Sequence, residues 1–324
     1  MLDFQPITVI EKIAMLFLVL LCGLYAARRG FFNEKTPRAL SLFLVNVTQP
    51  ALIVASFDME YSEEKLSTGL FIVAASVVIH AAAIVLARLF FYKTRDADQN
   101  RVYRYALIFC NCSFLGFPVL DAIFGKGVGV FYGTFYCIVF NVLNFTYGIH
   151  LLRRGRGEKP KWYRAILNPG VLSTLIGVVL YLLRLRLSDL PGEGFDVVGR
   201  VLFSTLSMVG DLTFPLSMVI VGALIASMRP KELFLRPSLY LFCLVKNLGM
   251  PLLTLGGCLL LGIRGEIGLL CVTMSAVPTA ASCAIFAETY HSDSAHAARL
   301  VGLSTLVSVV TLPCMVLLAN AALC

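Results

Sequence analysis

Long apolar runs separated by short polar connections set the pattern of this chain. The runs fall at about 8–27, 37–57, 66–91, 104–124, 128–151, 169–187, 197–227, 238–262, 266–289 and 299–320. Each is near the ~20 residues an α-helix needs to cross a bilayer. The connections carry the usual breakers: Gly30, Asn33 and Pro37, the acidic 58–64 segment, Gly125, Gly127 and Gly129, Pro160, Pro191-Gly192, Pro230 and Pro237. The pattern predicts an all-α membrane protein of ten transmembrane helices, with no soluble stretch long enough to bury a core of its own. The seventh run is long for one crossing and contains Asp211 and Pro215, so a tilt or bend is expected there.

Two prolines interrupt this regularity in an informative way. Pro118 ends Asn111-Cys112-Ser113-Phe114-Leu115-Gly116-Phe117-Pro118, and Pro278 sits within Ser275-Ala276-Val277-Pro278-Thr279-Ala280-Ala281-Ser282. Proline lacks an N–H and clashes with the preceding helical turn. Lipid cannot satisfy the freed backbone groups, so unwound backbone at that depth must be buried in protein or line a cavity. Two such breaks at matching places in two halves of a chain point to the midplane site of a transporter. A kink repacked by neighbouring helices is the competing reading of each proline.

Composition agrees with a membrane protein. The 324 residues are 58% hydrophobic and 14% charged, with mean hydropathy +0.84, against roughly 25% charged in soluble domains. The net charge of +8 suggests nucleic acid until its distribution is read. The basic residues cluster in alternate short loops, and no aromatic-basic interleaving marks a polar face, so nucleic-acid binding is not expected. Nineteen of the 27 Lys and Arg lie in the connections after runs 1, 3, 5, 7 and 9, among them Arg28, Arg29, Arg101, Arg104, Arg153 and Lys231. By the positive-inside rule both termini lie outside the cytoplasm, in a multi-pass protein of the cytoplasmic membrane. The first run has only Lys12 ahead of its apolar core and Arg28-Arg29 after it, which is not the pattern of a cleaved secretory segment.

An odd number of spans per half means that two repeats would insert in opposite senses. Pro50 in span 2 answers Pro215 in span 7, and Pro118 in span 4 answers Pro278 in span 9. The expected organisation is a first five-helix repeat (1–151), a short cytoplasmic loop (152–168) and a second, inverted repeat (169–324). The ten cysteines include no C-x-x-C and no His at ligand spacing, so they read as small packing residues. No metal site and no cofactor are expected.

The residues resemble the auxin efflux carrier family of membrane transporters in its short bacterial form, over nearly the whole length. The likeness is carried by Arg29-Gly30-Phe31-Phe32-Asn33, Leu44-Val45-Asn46-Val47-Thr48-Gln49-Pro50-Ala51-Leu52 and Asn111 to Pro118. It continues in Phe214-Pro215-Leu216-Ser217-Met218-Val219-Ile220-Val221-Gly222, Met274 to Ala281, Leu303-Ser304-Thr305-Leu306 and Thr311-Leu312-Pro313. The resemblance implies two inverted five-helix repeats, with helices 4 and 9 broken and crossing at their prolines. It also implies a scaffold of spans 1, 2, 6 and 7, a transport domain of spans 3–5 and 8–10, an elevator-like motion, and a homodimer. Plant members often carry a long loop between spans 5 and 6; here it is only about 152–168, so auxin is not implied as substrate.

Candidate chemistry follows from the breaks. A half-helix starting at the midplane presents unpaired N–H groups that can hold a carboxylate. The donors expected are Phe117 to Leu120 in span 4 and Thr279 to Ala281 in span 9. Asn111, Ser113, Gly116, Pro118, Ser275, Pro278 and Thr279 form the candidate substrate site. Asn141 and Asn144, with Tyr147, could line it from span 5, with structural hydrogen bonding between helices as the alternative for either asparagine; Asn46 could contact substrate from span 2, on the scaffold side. The ionisable residues within spans, Asp211, Lys246, His80 and Asp121, are the candidates for carrying a coupled proton. A static pair such as Asp211 with Lys246 is the alternative.

The function expected is secondary active transport of a small organic anion, a mono- or dicarboxylate. The alternatives are a uniporter or channel-like permease for small carboxylates, and a sodium-coupled organic anion symporter. No G-x-x-x-x-G-K-[ST] is present to bind ATP, and no H-E-x-x-H or G-x-S-x-G suggests an intramembrane enzyme, so no catalytic residue is assigned.

Overall fold

The computed structural model describes residues 6–33, 35–91, 96–153, 167–190, 192, 194–226 and 237–324. The expected central loop, 152–168, falls mostly on 154–166, outside the described residues, as do Lys93, Arg95, Arg229, Lys231, Arg236, Pro160, Pro191 and Pro230. Twelve helical elements carry the description: α1 (Pro6–Arg28), α2 (Thr36–Ser56), α3 (Glu63–Phe90), α4 (Ala97–Ile108), α5 (Cys112–Phe124), α6 (Val128–Leu152), α7 (Pro169–Leu182), α8 (Phe195–Ala226), α9 (Pro237–Leu261), α10 (Gly265–Ala276), α11 (Ser282–Thr289) and α12 (Ser294–Leu323). No strand occurs among the described residues. Eight of the elements (α1, α2, α3, α6, α7 with its continuation to Asp189, α8, α9 and α12) are long and apolar enough to cross a membrane. α5 and α10 are apolar but shorter.

The apolar surface is inverted relative to a soluble protein. Leu18, Leu70, Val78, Leu183 and Leu260 are all exposed, as expected where lipid rather than water surrounds the chain. The buried interior is aromatic in one place: Phe57, Phe131 and Tyr181 meet with ring centroids 4.9–6.3 Å apart. The Tyr181 hydroxyl donates to Ser62 O at 3.2 Å and accepts from Ser62 N–H at 2.9 Å, joining α7 to the start of α3.

Proline does not break α2, α5 or α9. Each contains a π-helical turn immediately before its proline: Leu44–Thr48 before Pro50, Cys112–Gly116 before Pro118, and Val245–Gly249 before Pro251. The residue preceding each proline donates to the carbonyl five back (Gln49 to Leu44, Phe117 to Cys112, Met250 to Val245). The wider turn makes room for the ring, which would otherwise strike the carbonyl four residues earlier. For Pro118 that carbonyl belongs to Phe114, and Ser217 Oγ on α8 donates to it at 2.8 Å. The expectation of an unwound chain at Pro118 is therefore corrected: helix continues through it, and the interruption lies at Phe109–Asn111.

Two groups of helices pack mainly among themselves. α1 lies along the second half of α8, and α2 lies against α7 and the first half of α8. α3, α4 and α6 associate, as do α9, α10, α11 and α12, with α4 also against α12. α8 pauses at Leu212, whose N–H donates back only three residues, to Val209 O.

Candidate functional site

Where α4 ends, Phe109 is extended (φ −98°, ψ 115°). Asn111 (φ −79°, ψ 59°) is then the centre of an inverse γ-turn, closed by Cys112 N–H donating to Cys110 O at 2.8 Å. In the other half, Val277 takes the extended conformation (φ −63°, ψ 137°) that a following proline imposes. The two extended segments meet in an antiparallel bridge between Cys110 and Thr279. Asn111 N–H donates to Pro278 O at 2.8 Å, and Ala280 N–H donates to Phe109 O at 3.0 Å. Each unwound stretch thus supplies partners that the other would lack in an apolar interior.

Side chains serve the groups this bridge leaves over. The last turn of α4 presents carbonyls without helical partners; Thr279 Oγ1 donates to Ala106 O at 3.0 Å and Lys246 Nζ to Leu107 O at 3.3 Å. Thr279 N–H donates to Ser304 Oγ at 3.2 Å, and Asn247 Nδ2 donates to Ser304 O at 2.7 Å. Lys246 and Asn247 both come from the π-turn of α9 and are buried. Asn111 is only 5% exposed, and its Nδ2 has no hydrogen-bond partner. The open helix starts lie at Ser113–Phe114 of α5 and at Ala281–Ser282 ahead of α11. This moves the donors from the expected Phe117–Leu120, because Pro118 is absorbed into helix. The Thr279 and Ala280 amides are already engaged.

Polar residues flank the bridge on two sides. Gln49 Nε2 on α2 donates to Ser113 Oγ at 3.1 Å. Gly170 abuts the same place: a Cβ added there would lie 3.6 Å from Gln49 Nε2 and 3.7 Å from Asn141 Nδ2. Ser113, Gln49 and Asn141 therefore converge where the two helix groups face each other. On another side the Tyr105 hydroxyl donates to Asn144 Oδ1 and contacts Ser282 Oγ at 2.9 Å. Ser275 bonds Cys271 O and Thr254 Oγ1, both at 2.9 Å. Gly116 faces Met274, whose Sδ would lie 3.0 Å from an added Cβ. Asn46 stands apart: it is exposed, donates to Leu42 O at 2.7 Å, and lines a shallow groove with Pro50, Pro169 and Thr205. Gln49, Tyr105, Asn247, Ser282 and Ser304 join the site although sequence reasoning passed over them.

The ionisable residues stand apart from one another, and the alternative of an Asp211–Lys246 pair is corrected. Asp211 meets Lys126, not Lys246, with Nζ and Oδ2 2.9 Å apart and both side chains more than half exposed. Asp121 is buried, and its carboxylate accepts from Gly127 N–H at 3.1 Å and Val130 N–H at 2.9 Å, capping the start of α6. His80 is 1% exposed, with Nδ1 2.8 Å from Ser76 O and its ring against Tyr136 and Phe140. A cavity of about 860 Å³ opens beside this region. Its walls include Leu16 of α1, Leu52 of α2, Phe203 and Asp211 of α8, and Pro118 and Asp121 of α5.

The Lys126–Asp211 pair joins the α5–α6 turn to α8, so it ties the two helix groups together. Exposed pairs contribute ~0.2–1 kcal/mol, so Lys126→Asp and Asp211→Lys should each change any conformational exchange rate by at most ~5-fold. Single-molecule distance measurements between α1 and α6 should show the rates restored in the double swap. Equal rates in all four proteins would remove the pair as a tie.

All-helical structure with eight membrane-capable helices among the described residues fits a multi-pass membrane protein. A family model described as membrane transport protein matches residues 8–316, and the chain belongs to this family, that of the auxin efflux carriers. Its members are transporters rather than enzymes. No curated protein matches the sequence.

Proposed function

We propose that the protein is a secondary active transporter of a small organic anion, a mono- or dicarboxylate, held where the segments 109–111 and 277–281 meet. In this reading α4 with α5, and α10 with α11, are the two halves of interrupted membrane segments 4 and 9. They bring the spans to ten, in two inverted repeats with both termini outside the cytoplasm. α1, α2, α7 and α8 form the scaffold, and the remaining helices carry the site past them in an elevator-like motion. The separate packing of the two helix groups supports that division. The observation that carries the proposal is the backbone bridge itself, beside the buried Asn111 Nδ2, which has no hydrogen-bond partner. The starts of α5 and α11 add N–H groups with partial positive charge, suited to a carboxylate.

Asn111→Ala tests it. A hydrogen bond to a charged group contributes ~1.5–3 kcal/mol, so the variant should bind a transported carboxylate ~10- to 100-fold more weakly. The measurement is carboxylate flux in proteoliposomes, with substrates first selected by thermal stabilisation at two pH values, with and without sodium. Unchanged kinetics in a folded Asn111→Ala would take the substrate away from the bridge.

A further inference from the structure

The γ-turn at Asn111 does more than end a helix. It folds the chain so that the side chains flanking Asn111 emerge together, and Cys110 Sγ lies 3.1 Å from Cys112 Sγ. Both residues are buried, at 2% and 1% exposure. Cys110 is also the residue bridged to Thr279, and Cys112 begins α5. Cys137 is a third thiol beside Cys112. A pair of thiols in contact across the hinge of an unwound segment is an unusual use of two small side chains, since Ala or Ser would fill the same space.

We propose that Cys110 and Cys112 form a redox-sensitive dithiol that closes to a disulfide and locks the bridge between the two unwound segments. A disulfide needs an S–S distance of ~2.05 Å, so the sulfurs approach by about an ångström, a movement within reach of side-chain rotation. Peroxide is the oxidant of the right size for a buried pair. One thiol, as thiolate, attacks a peroxide oxygen, breaking the O–O bond and giving a sulfenic acid and one water. The second thiol attacks that sulfur, forming the S–S bond and releasing the second water. Two thiols lose two electrons and two protons, and one peroxide becomes two waters. The new bond closes a small ring around Asn111, fixing the turn whose amide and side chain face Pro278 and the proposed substrate position. The bond stands on the geometry alone; its effect on flux rests on the transport reading.

The test uses the purified full-length protein treated with hydrogen peroxide, then alkylated and digested with trypsin. The peptide from Tyr105 to Lys126 contains Cys110 and Cys112 and no other cysteine. It should become two hydrogens lighter and resist alkylation, and dithiothreitol should reverse both changes. In proteoliposomes, carboxylate flux should be lost on oxidation and return on reduction. The ratio of treated to untreated flux should stay near unity in Cys110→Ser and in Cys112→Ser, whatever their own rates. The proposal is overturned if the peptide stays reduced while the exposed Cys22 and Cys314 are oxidised, or if Cys112 links to Cys137 instead. It is also overturned if the disulfide forms and flux persists. If no carboxylate is transported by untreated protein, the transport reading fails, and the peptide still decides the bond.

Discussion

Lys246→Met should abolish carboxylate transport while leaving the protein at least as stable as the wild type. Lys246 is 2% exposed and has Leu107 O at 3.3 Å as its hydrogen-bond acceptor. Removing an ammonium from water costs several kcal/mol even after relaxation. The return at best offsets this: a charge near a helix C-terminus contributes up to ~2 kcal/mol, and a hydrogen bond from a charged donor ~1.5–3 kcal/mol. A lysine whose only duty were to finish α4 would therefore be a poor choice, because a neutral donor such as the Thr279 hydroxyl does the same for Ala106 O without that cost. The balance is explained if the charge acts on something that enters and leaves, the anion or a coupled proton. Thermal midpoint and flux, measured together, decide it. If Lys246→Met loses stability in step with flux, the lysine is a structural cap and its place in transport is withdrawn.

What the sequence disclosed, and what it withheld, follows from the range of each interaction. Hydropathy is local, so eight of the ten long runs coincide with the eight membrane-capable helices among the described residues. The start of α4 was the exception: Ala97–Tyr103 is polar, and a window tuned to lipid begins the segment at 104. At Pro278 the helix ends, with Val277 extended before it as a following proline favours. Pro118 misleads because the remedy for its ring is a π-turn and a hydroxyl from Ser217, 99 residues away in sequence. The same holds for charge. Asp211 and Lys246 are both deep in apolar runs, which suggests pairing, yet only the packing shows that Lys126 reaches Asp211. Gln49 could have been found, since it is an amide beside a proline within an apolar segment; Ser304 and Asn247 could not, because their value is in meeting Thr279 and each other.

Gly222→Ala should cost ~3 kcal/mol or more, the upper range for overpacking, because the obstacle is backbone. A Cβ at Gly222 would lie 2.0 Å from Leu20 O and 2.7 Å from Leu24 N, and one at Gly23 would lie 2.3 Å from Val219 O. Neither a carbonyl oxygen nor an amide can rotate aside, so α1 and α8 must separate by about an ångström or more at the position where they touch most closely. Gly256 in α9 provides the opposite case, since nothing lies within 4 Å of its added Cβ. There the same change should be neutral or stabilising by up to ~1 kcal/mol, from helix propensity alone. Thermal unfolding midpoints of the two variants in one detergent make the comparison. If both behave alike, the α1–α8 contact is loose and cannot anchor a moving body. If they diverge as expected, one side of the bridge is held by a seam without slack. That is what the proposed scaffold of an elevator-like transporter requires, and Gln49 of α2 meets Ser113 across the same boundary.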